Sequence, residues 1–155
     1  MRRRFRIAAE ACSALRSHVR NGLQALRRPD RTRVRAKNSR RLAGSIDVDS
    51  ALAEALPNAP RWDYGIGHQP PSNRDEVVHW VEVHPATDGE VSKMEAKLEW
   101  LKNWMDNNAE ELARMDRRFV WVSSGRTHST PTSPGLRRLA QKGCCHVGSV
   151  YTIGQ

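Results

Sequence analysis

The sequence predicts an α/β fold: a two-layer or three-layer sandwich in which helices flank a mixed, mainly central sheet of about four strands. Three observations lead to this prediction. Short segments of alternating apolar residues are typical of strands, longer segments with apolar residues three and four apart are typical of helices, and prolines and glycines separate the two kinds. The predicted order is helix, strand, strand, helix, strand, helix, strand, and helical connections favour parallel neighbours within one sheet.

Charge divides the chain into two parts. The first 41 residues hold fourteen Arg or Lys and two acids, whereas the remaining residues hold twelve Arg or Lys and fifteen acids. All of the formal net charge of +9 therefore comes from the N-terminal quarter of the chain. We interpret residues 1–44 as a basic arm with a helix and a linker, and residues 45–155 as one α/β domain.

The arm suggests a partner. Apolar residues at near-helical spacing predict a helix over residues 5–28, and the charged run that follows is typical of a linker. Such an arm favours contact with nucleic acid, because each phosphate contact releases a counterion. A solvated tail is the alternative. The candidates for phosphate contact are Arg2, Arg3, Arg4, Arg27, Arg28, Arg33, Arg35, Lys37, Arg40 and Arg41.

The compartment is predicted from the cysteines and from the arm. Three cysteines without a CxxC pair are typical of a reducing environment, which predicts a cytoplasmic protein. The arm is also Arg-rich and acid-poor, as organellar transit peptides are, so an organelle is the alternative. No segment approaches the roughly 20 apolar residues that a membrane span needs.

A short helix opens the α/β domain, and two strands follow it. Asp47 or Asp49 is the expected N-cap of this helix, and Pro57 closes it. Alternation predicts strands over residues 61–67 and 77–84, which form an antiparallel pair.

The two faces of these strands differ in character. In the first strand, Trp62, Tyr64 and Ile66 are expected on one face and Asp63 on the other. In the second strand, the face opposite Val77, His79, Val81 and Val83 carries Val78, Trp80, Glu82 and His84.

The rest of the domain alternates helices and strands. A long helix is expected over about residues 90–107, a third strand over 118–124, a short helix over 136–142 and a last strand over 146–153. Trp100 and Trp104 lie one turn apart on a second face of the long helix. Its core-facing stripe is Val91, Met94, Leu98, Leu101 and Met105.

Two acids on neighbouring strands point to a metal. Asp63 and Glu82 are expected on one face of strands less than about 5 Å apart, where two carboxylates repel each other unless a cation or a proton lies between them. Oxygen ligands of this kind suit Mg²⁺ or Mn²⁺, with water and a substrate phosphate completing the coordination. Such a metal activates water and stabilises the charge that develops on a phosphodiester.

The arrangement resembles the PD-(D/E)XK nuclease superfamily. Asp63, eighteen intervening residues, Glu82-Val83-His84 at a strand end and a helix behind it carry the resemblance. It implies that Asp63 and Glu82 bind a divalent metal, with Glu54 of the first helix as a third candidate ligand. It also implies hydrolysis of phosphodiesters, usually in DNA.

The chain departs from the superfamily pattern in three ways, the least of which is that Trp62 precedes Asp63 where the motif has a variable Pro. His84 stands where the motif has Lys, and a neutral imidazole there could bind Mn²⁺ or Fe²⁺ or act as a general base. Alternatively Lys97 on the following helix supplies the ammonium, with Lys93 as second choice. The superfamily also commonly has one more strand before the metal-binding Asp, for which the sequence shows no room. The candidate catalytic residues are thus Asp63, Glu82, His84 and Lys97.

Simpler readings remain open for the same residues. Asp63 would cap a turn or pair with Arg61 or Arg74, and Glu82 would lie on the solvent face of an edge strand. The sequence therefore supports two functions: a metal-dependent nuclease-like protein, or a catalytically inactive module on the same scaffold. The module would bind nucleic acid, or a protein through exposed tryptophans.

Overall fold

The computed structural model describes residues 2–72, 75–125 and 133–155 and shows an α/β fold with a mixed central sheet. The helices are α1 (Phe5–Glu10), α2 (Val48–Leu52), α3 (Val91–Asn108), α4 (Glu110–Ala113) and α5 (Ser133–Gln141). The strands are β1 (Val19–Arg20), β2 (Val34–Ala36), β3 (Leu42–Asp47), β4 (Tyr64–His68), β5 (Val77–Pro85), β6 (Asp116–Ser124), β7 (Cys144–His146) and β8 (Tyr151–Ile153).

The main sheet has six strands in the order β1-β3-β4-β5-β6-β7. The pairs up to β4–β5 are antiparallel, and the pairs β5–β6 and β6–β7 are parallel. The predicted antiparallel pairing of the first two domain strands and the parallel pairing across the long helix are both confirmed. A second sheet consists of β2 and β8, which pair in parallel.

The strand count of about four is wrong, because three strands (β1, β2 and β3) begin within the predicted arm and one predicted strand divides. β1 and β3 add to the edge of the sheet beside β4. The predicted last strand over residues 146–153 breaks at Gly148, whose φ of +84° turns the chain. Its two halves join different sheets, β7 the main sheet and β8 the small one.

The predicted helix over residues 5–28 is also wrong. α1 ends at Glu10, and Gly22 has a φ of +50°, a left-handed conformation that a helix cannot contain. The apolar residues of this segment face two different cores: Phe5 and Leu15 pack on one side of the sheet, and Leu26 packs on the other. The spacing of these apolar residues is that of one helical stripe, but the chain passes the edge of the sheet between Leu15 and Leu26 and so reaches both cores.

Residues 2–44 pack into the fold rather than extending from it. Phe5 is fully buried against β4, where Gly67 leaves room: a Cβ at that glycine would lie 2.3 Å from Phe5 Cγ. The chain also makes backbone contacts there, since Glu76 N donates to Arg3 O at 3.0 Å. The predicted division between residues 44 and 45 falls inside β3.

Two hydrophobic cores cover the two faces of the main sheet. The larger contains Val78 and Trp80 of β5 together with the buried residues of the helices, and we call this side the helix face. The smaller contains Val81 of β5 and Ile153 of β8, and we call this side the β2–β8 face. Along β5 the alternation agrees with the prediction.

Helix α3 packs as its sequence pattern predicts, whereas Trp62, just before β4, does not. The predicted stripe on α3 is confirmed, since all five of its residues are buried. Trp62 was expected to share a face with Tyr64, but it precedes β4 and lies in the helix-face core, while Tyr64 lies in the core of the β2–β8 face.

Within the residues described, no helix is both long and apolar enough to cross a membrane.

Candidate active site

The two predicted carboxylates converge at the end of the β4–β5 pair. The register that places Tyr64 opposite Val81 brings Asp63, one residue before β4, beside Glu82. Each carboxylate accepts a backbone N–H from the other segment: Asp63 N donates to Glu82 Oε1 and Val83 N donates to Asp63 Oδ2, both at 3.0 Å. Glu82 is 1% exposed, so its charge is almost removed from water.

One cation contacts each carboxylate. Lys97 of α3 brings its Nζ to 2.6 Å from Glu82 Oε2, and it also donates to Arg61 O at 3.3 Å. Arg27, which lies between β1 and β2 in sequence, places its Nη2 2.6 Å from Asp63 Oδ1. Its Nη1 donates to Asp49 Oδ2 at 2.8 Å. Together these contacts leave none of the four carboxylate oxygens of Asp63 and Glu82 without a partner.

His84 lies between two acids and carries a positive charge more readily than an isolated imidazole. Its Nε2 is 2.6 Å from Glu90 Oε2, and its Nδ1 is 3.6 Å from Glu82 Oε2. The contact with Glu82 raises the pKa of His84, and so does the hydrogen bond with Glu90. Burial lowers the pKa but does not cancel the rise. An imidazolium at this position resembles the positive charge of the motif Lys more than it resembles a metal ligand or a base.

Asp63 is short of positive charge despite its ion pair. Burial raises the pKa of its carboxyl, the neighbouring charge of Glu82 raises it further, and the result is about 7. Arg27 opposes both effects by its charge and its hydrogen bond, yet it does not cancel them. Positive charge beside Asp63 therefore favours its ionised form, whereas burial and Glu82 favour its protonated form.

The other predicted site residues are placed less centrally. Glu54 is exposed beyond the end of α2, and within the described chain it forms no ion pair. Lys93 contacts Glu90 at 3.5 Å rather than Glu82. Arg61 pairs with Asp49 at 2.8 Å instead of with Asp63, and Arg74 lies outside the described residues.

The predicted phosphate-contacting residues divide into two groups. Three of them hydrogen-bond within the chain: Arg27 at the acidic site, Arg33 on Ser123 O at 2.8 Å, and the exposed Arg3 on Arg114 O. The rest lie at the surface, with Arg41 half-buried, and they are Arg2, Arg4, Arg28, Arg35, Lys37, Arg40 and Arg41.

Sequence reasoning missed three features of the site. Arg27 was assigned to nucleic acid because it lies in a basic run, and no local pattern links it to Asp63, 36 residues away. Glu90, which contacts His84 Nε2 at 2.6 Å, was not among the predicted site residues. Ser123 lies opposite His84 on β6, and its Oγ is 2.6 Å from His146 Nε2; only the register of β5 and β6 could have shown it.

The residues present fit a divalent cation in one limited way. No group of three His, Cys, Asp or Glu side chains with metal-binding geometry occurs within the described chain. Mg²⁺ in phosphoryl-transfer sites needs only one or two carboxylates, because water and substrate phosphate supply the other ligands. Asp63 and Glu82 meet that lower requirement, since their two carboxylates are held side by side by the exchanged backbone hydrogen bonds.

Known proteins give no further guidance. Comparison with protein-family models, with curated proteins and with solved structures finds no match to this chain. The case for a function therefore depends on the geometry of the site.

Proposed function

We propose that this chain is a metal-dependent nuclease-like protein that acts on phosphodiesters of nucleic acid. One observation carries the proposal: Asp63 and Glu82, from adjoining strands, exchange backbone hydrogen bonds while Lys97 contacts Glu82 at 2.6 Å. Two carboxylates and an ammonium on one sheet face are the groups that the resemblance implied. The lysine arrives from α3 instead of from the strand.

The order of the elements supports the same proposal. β3 pairs with β4 on the side away from β5, so a strand does precede Asp63, where the sequence had suggested no room for one. The motif strand β5 then runs into α3 and returns parallel as β6. The departure concerning a strand before Asp63 therefore no longer counts against the proposal.

Each group in the site has a role in this proposal. A divalent cation held by Asp63 and Glu82 would polarise the scissile phosphate and lower the pKa of an attacking water. Lys97 fixes the orientation of Glu82 by its 2.6 Å contact and adds positive charge beside it. Glu82 and Glu90 raise the pKa of His84, and in its protonated form this imidazole would supply a second positive charge for the developing phosphorane oxygens.

Arg27 connects the site with the substrate. Its side chain is 37% exposed and contacts Asp63 Oδ1, an oxygen that the metal requires. A phosphate of the substrate competes with Asp63 for this guanidinium, because Arg binds phosphate through two parallel hydrogen bonds. Substrate binding would then release the carboxylate to the cation.

A cleavage assay tests the proposal. The wild-type protein is incubated with labelled single-stranded and double-stranded DNA and with RNA, in Mg²⁺, in Mn²⁺ or in chelator. We expect cleavage that needs the metal and that falls at least about a hundredfold in Glu82→Gln, since the ligand charge is lost. Glu54→Gln is the matched control, because it makes the same change at an exposed position and should retain wild-type activity. Absence of metal-dependent cleavage on every substrate contradicts the proposal.

A second candidate function is a non-catalytic nucleic-acid-binding module. The observation that favours it is that Arg27 and Lys97 already contact one oxygen of each carboxylate at 2.6 Å without any metal. Such a module would bind nucleic acid equally well in chelator and lose affinity steeply with salt. The protein-docking version has less support, because Trp104 is buried and stacks on the half-buried Trp100 at 6.1 Å.

A further inference from the structure

A second cluster of titratable side chains lies on the β2–β8 face of the sheet, opposite the acidic site. His68 of β4, His79 of β5 and Tyr151 of β8 line a cavity of about 300 Å³ whose edge includes Arg118 of β6. A neighbouring cavity of about 480 Å³ shares His68 and is bordered by Lys37 and Arg41. Volumes of this size suit small-molecule ligands.

The three ring side chains form one hydrogen-bonded row that ends in the cavity. Tyr151 Oη lies 2.7 Å from His79 Nδ1, and His79 Nε2 lies 3.4 Å from His68 Nδ1. If the phenol donates to His79, then His79 donates to His68, and the Nε2 of His68 carries the remaining proton. Within the described chain that Nε2–H has no acceptor, so the row presents one donor to a ligand.

Burial keeps both imidazoles neutral. His79 is 3% exposed, and burial, followed by the proximity of His68 and Arg118, lowers its pKa to about 3. Burial likewise lowers the pKa of His68, with Arg41 and Arg118 contributing. The guanidinium groups of Arg41 and Arg118 add positive potential beside these imidazoles, which a bound anion would offset.

Three bases border the two adjoining cavities, Arg118 the first and Lys37 and Arg41 the second, and His68 lines both. Within the parts of the chain that the structure describes, Lys37, Arg41 and Arg118 form no ion pair. Asp116 is the nearest acid in sequence to Arg118, and it is exposed at the start of β6. A multiply charged oxyanion suits this arrangement better than a single carboxylate does, because it accepts from several cationic donors and from one imidazole N–H.

We propose that this cavity binds a phosphate monoester, either as a free mononucleotide or as the terminal phosphate of an oligonucleotide. The phosphate lies between Arg118 and Arg41 and accepts from His68 Nε2–H. The site is on the opposite face of the sheet from Asp63 and Glu82, so it does not depend on the proposed nuclease activity.

Calorimetric titration tests the site with four probes: inorganic phosphate, a 5′-mononucleotide, a 5′-phosphorylated oligonucleotide and the same oligonucleotide without its phosphate. We expect the 5′-mononucleotide to bind the wild-type protein and to bind Arg118→Gln at least about tenfold more weakly. Arg117→Gln is the matched control, since Arg117 is the adjacent residue of β6 and stacks on Phe119 on the helix face. It should bind within about twofold of the wild type.

The source of the phosphate follows from the same titrations. Tighter binding of the phosphorylated oligonucleotide than of the mononucleotide assigns the site to nucleic acid ends, and the reverse order assigns it to free nucleotides. Nitrogen-15 spectra of the histidines check the contact directly, because a phosphate acceptor shifts the Nε2 resonance of His68. No binding of phosphate or mononucleotide, or equal losses in the Arg117 and Arg118 variants, overturns the proposal.

Discussion

The two faces of strands β4 and β5 bury their polar residues in opposite ways. On the helix face, Asp63 and Glu82 are held by cations that come from distant segments, Arg27 and Lys97. On the β2–β8 face, His68 and His79 are buried without charge and share hydrogen bonds with a phenol. A carboxylate needs an imported partner to be buried ionised, whereas an imidazole can be buried by losing its proton.

The largest loss of stability is expected when Lys97 is removed from its contact with Glu82 on the helix face. Lys97→Met leaves Glu82 buried at 1% exposure without its ammonium, which should lower the free energy of unfolding by about 3 kcal/mol in urea denaturation. The double variant with Glu82→Gln should recover at least half of that loss, because no unpaired charge then remains. A loss below about 0.5 kcal/mol in the single variant would show that Glu82 does not depend on Lys97.

The second prediction uses pH to separate the two faces. The pKa of His79 is lowered from 6.5 to about 3 in the folded state. Below pH 6.5 the unfolded state therefore binds a proton that the folded state does not, and stability falls as the pH drops. Asp63 has a pKa raised from 3.8 to about 7, so the folded state holds its proton and stability falls as pH rises through that window. In the wild type these two slopes oppose each other between about pH 5 and 6.

Single variants should unmask each slope. Asp63→Asn should make stability rise with pH more steeply than in the wild type, by about 1.3 kcal/mol per pH unit, and His79→Phe should change the slope by a similar amount in the other direction. Denaturation at pH 5.0, 5.5 and 6.0 measures the slopes, with Asp116→Asn as the exposed control. Equal slopes in all variants would contradict both shifted pKa values.

A smaller effect is expected from the hydrogen-bonded row. Tyr151→Phe removes the hydroxyl 2.7 Å from His79 Nδ1 and leaves that buried nitrogen without its partner, which should cost about 1 kcal/mol of unfolding free energy. The same variant should raise the pKa of His79 only if water enters the cavity. Thermal unfolding at pH 7 measures the loss, and an unchanged midpoint would place the tyrosine hydroxyl outside the row.

The smallest stability effect is expected at Arg27, whose consequence lies in binding. Because the side chain is 37% exposed, Arg27→Ala should lower stability by less than about 1 kcal/mol. At pH 8 the same variant should bind Mn²⁺ more tightly, because the cation that competes for Asp63 Oδ1 is absent. Arg28→Ala, an exposed neighbour, is the control and should leave Mn²⁺ binding unchanged; weaker binding in Arg27→Ala would contradict the competition.

Local pattern was sufficient for the centre of this fold and insufficient for its edges. The alternation of β5 and the stripe of α3 are both observed as expected. Successive side chains of β5 enter the two different cores, and all stripe residues of α3 are buried. β3 was hidden, since "LAGSID" begins with small residues at the end of a basic run. Its burial depends on β4 and β1, which are neighbours in space alone.

The candidate site could be predicted as far as its own strands and helix reach. Glu82, His84 and Lys97 lie within sixteen residues of one another, so strand alternation and helical reach were enough to bring them together. Arg27 and the cavity around His68 and Tyr151 join segments that are far apart in sequence. No local sequence pattern indicates which distant segments lie side by side, so these contacts are visible only in the folded structure.

The most direct test of the central claim is a Mn²⁺ titration at pH 8, followed by electron paramagnetic resonance, that asks whether Asp63 and Glu82 together bind one divalent cation. We expect one bound ion per wild-type chain, the same for Glu54→Gln, and loss of binding for both Asp63→Asn and Glu82→Gln while their circular dichroism stays that of a folded protein. Unchanged Mn²⁺ binding in those two variants, or no binding by the wild type, would contradict the account.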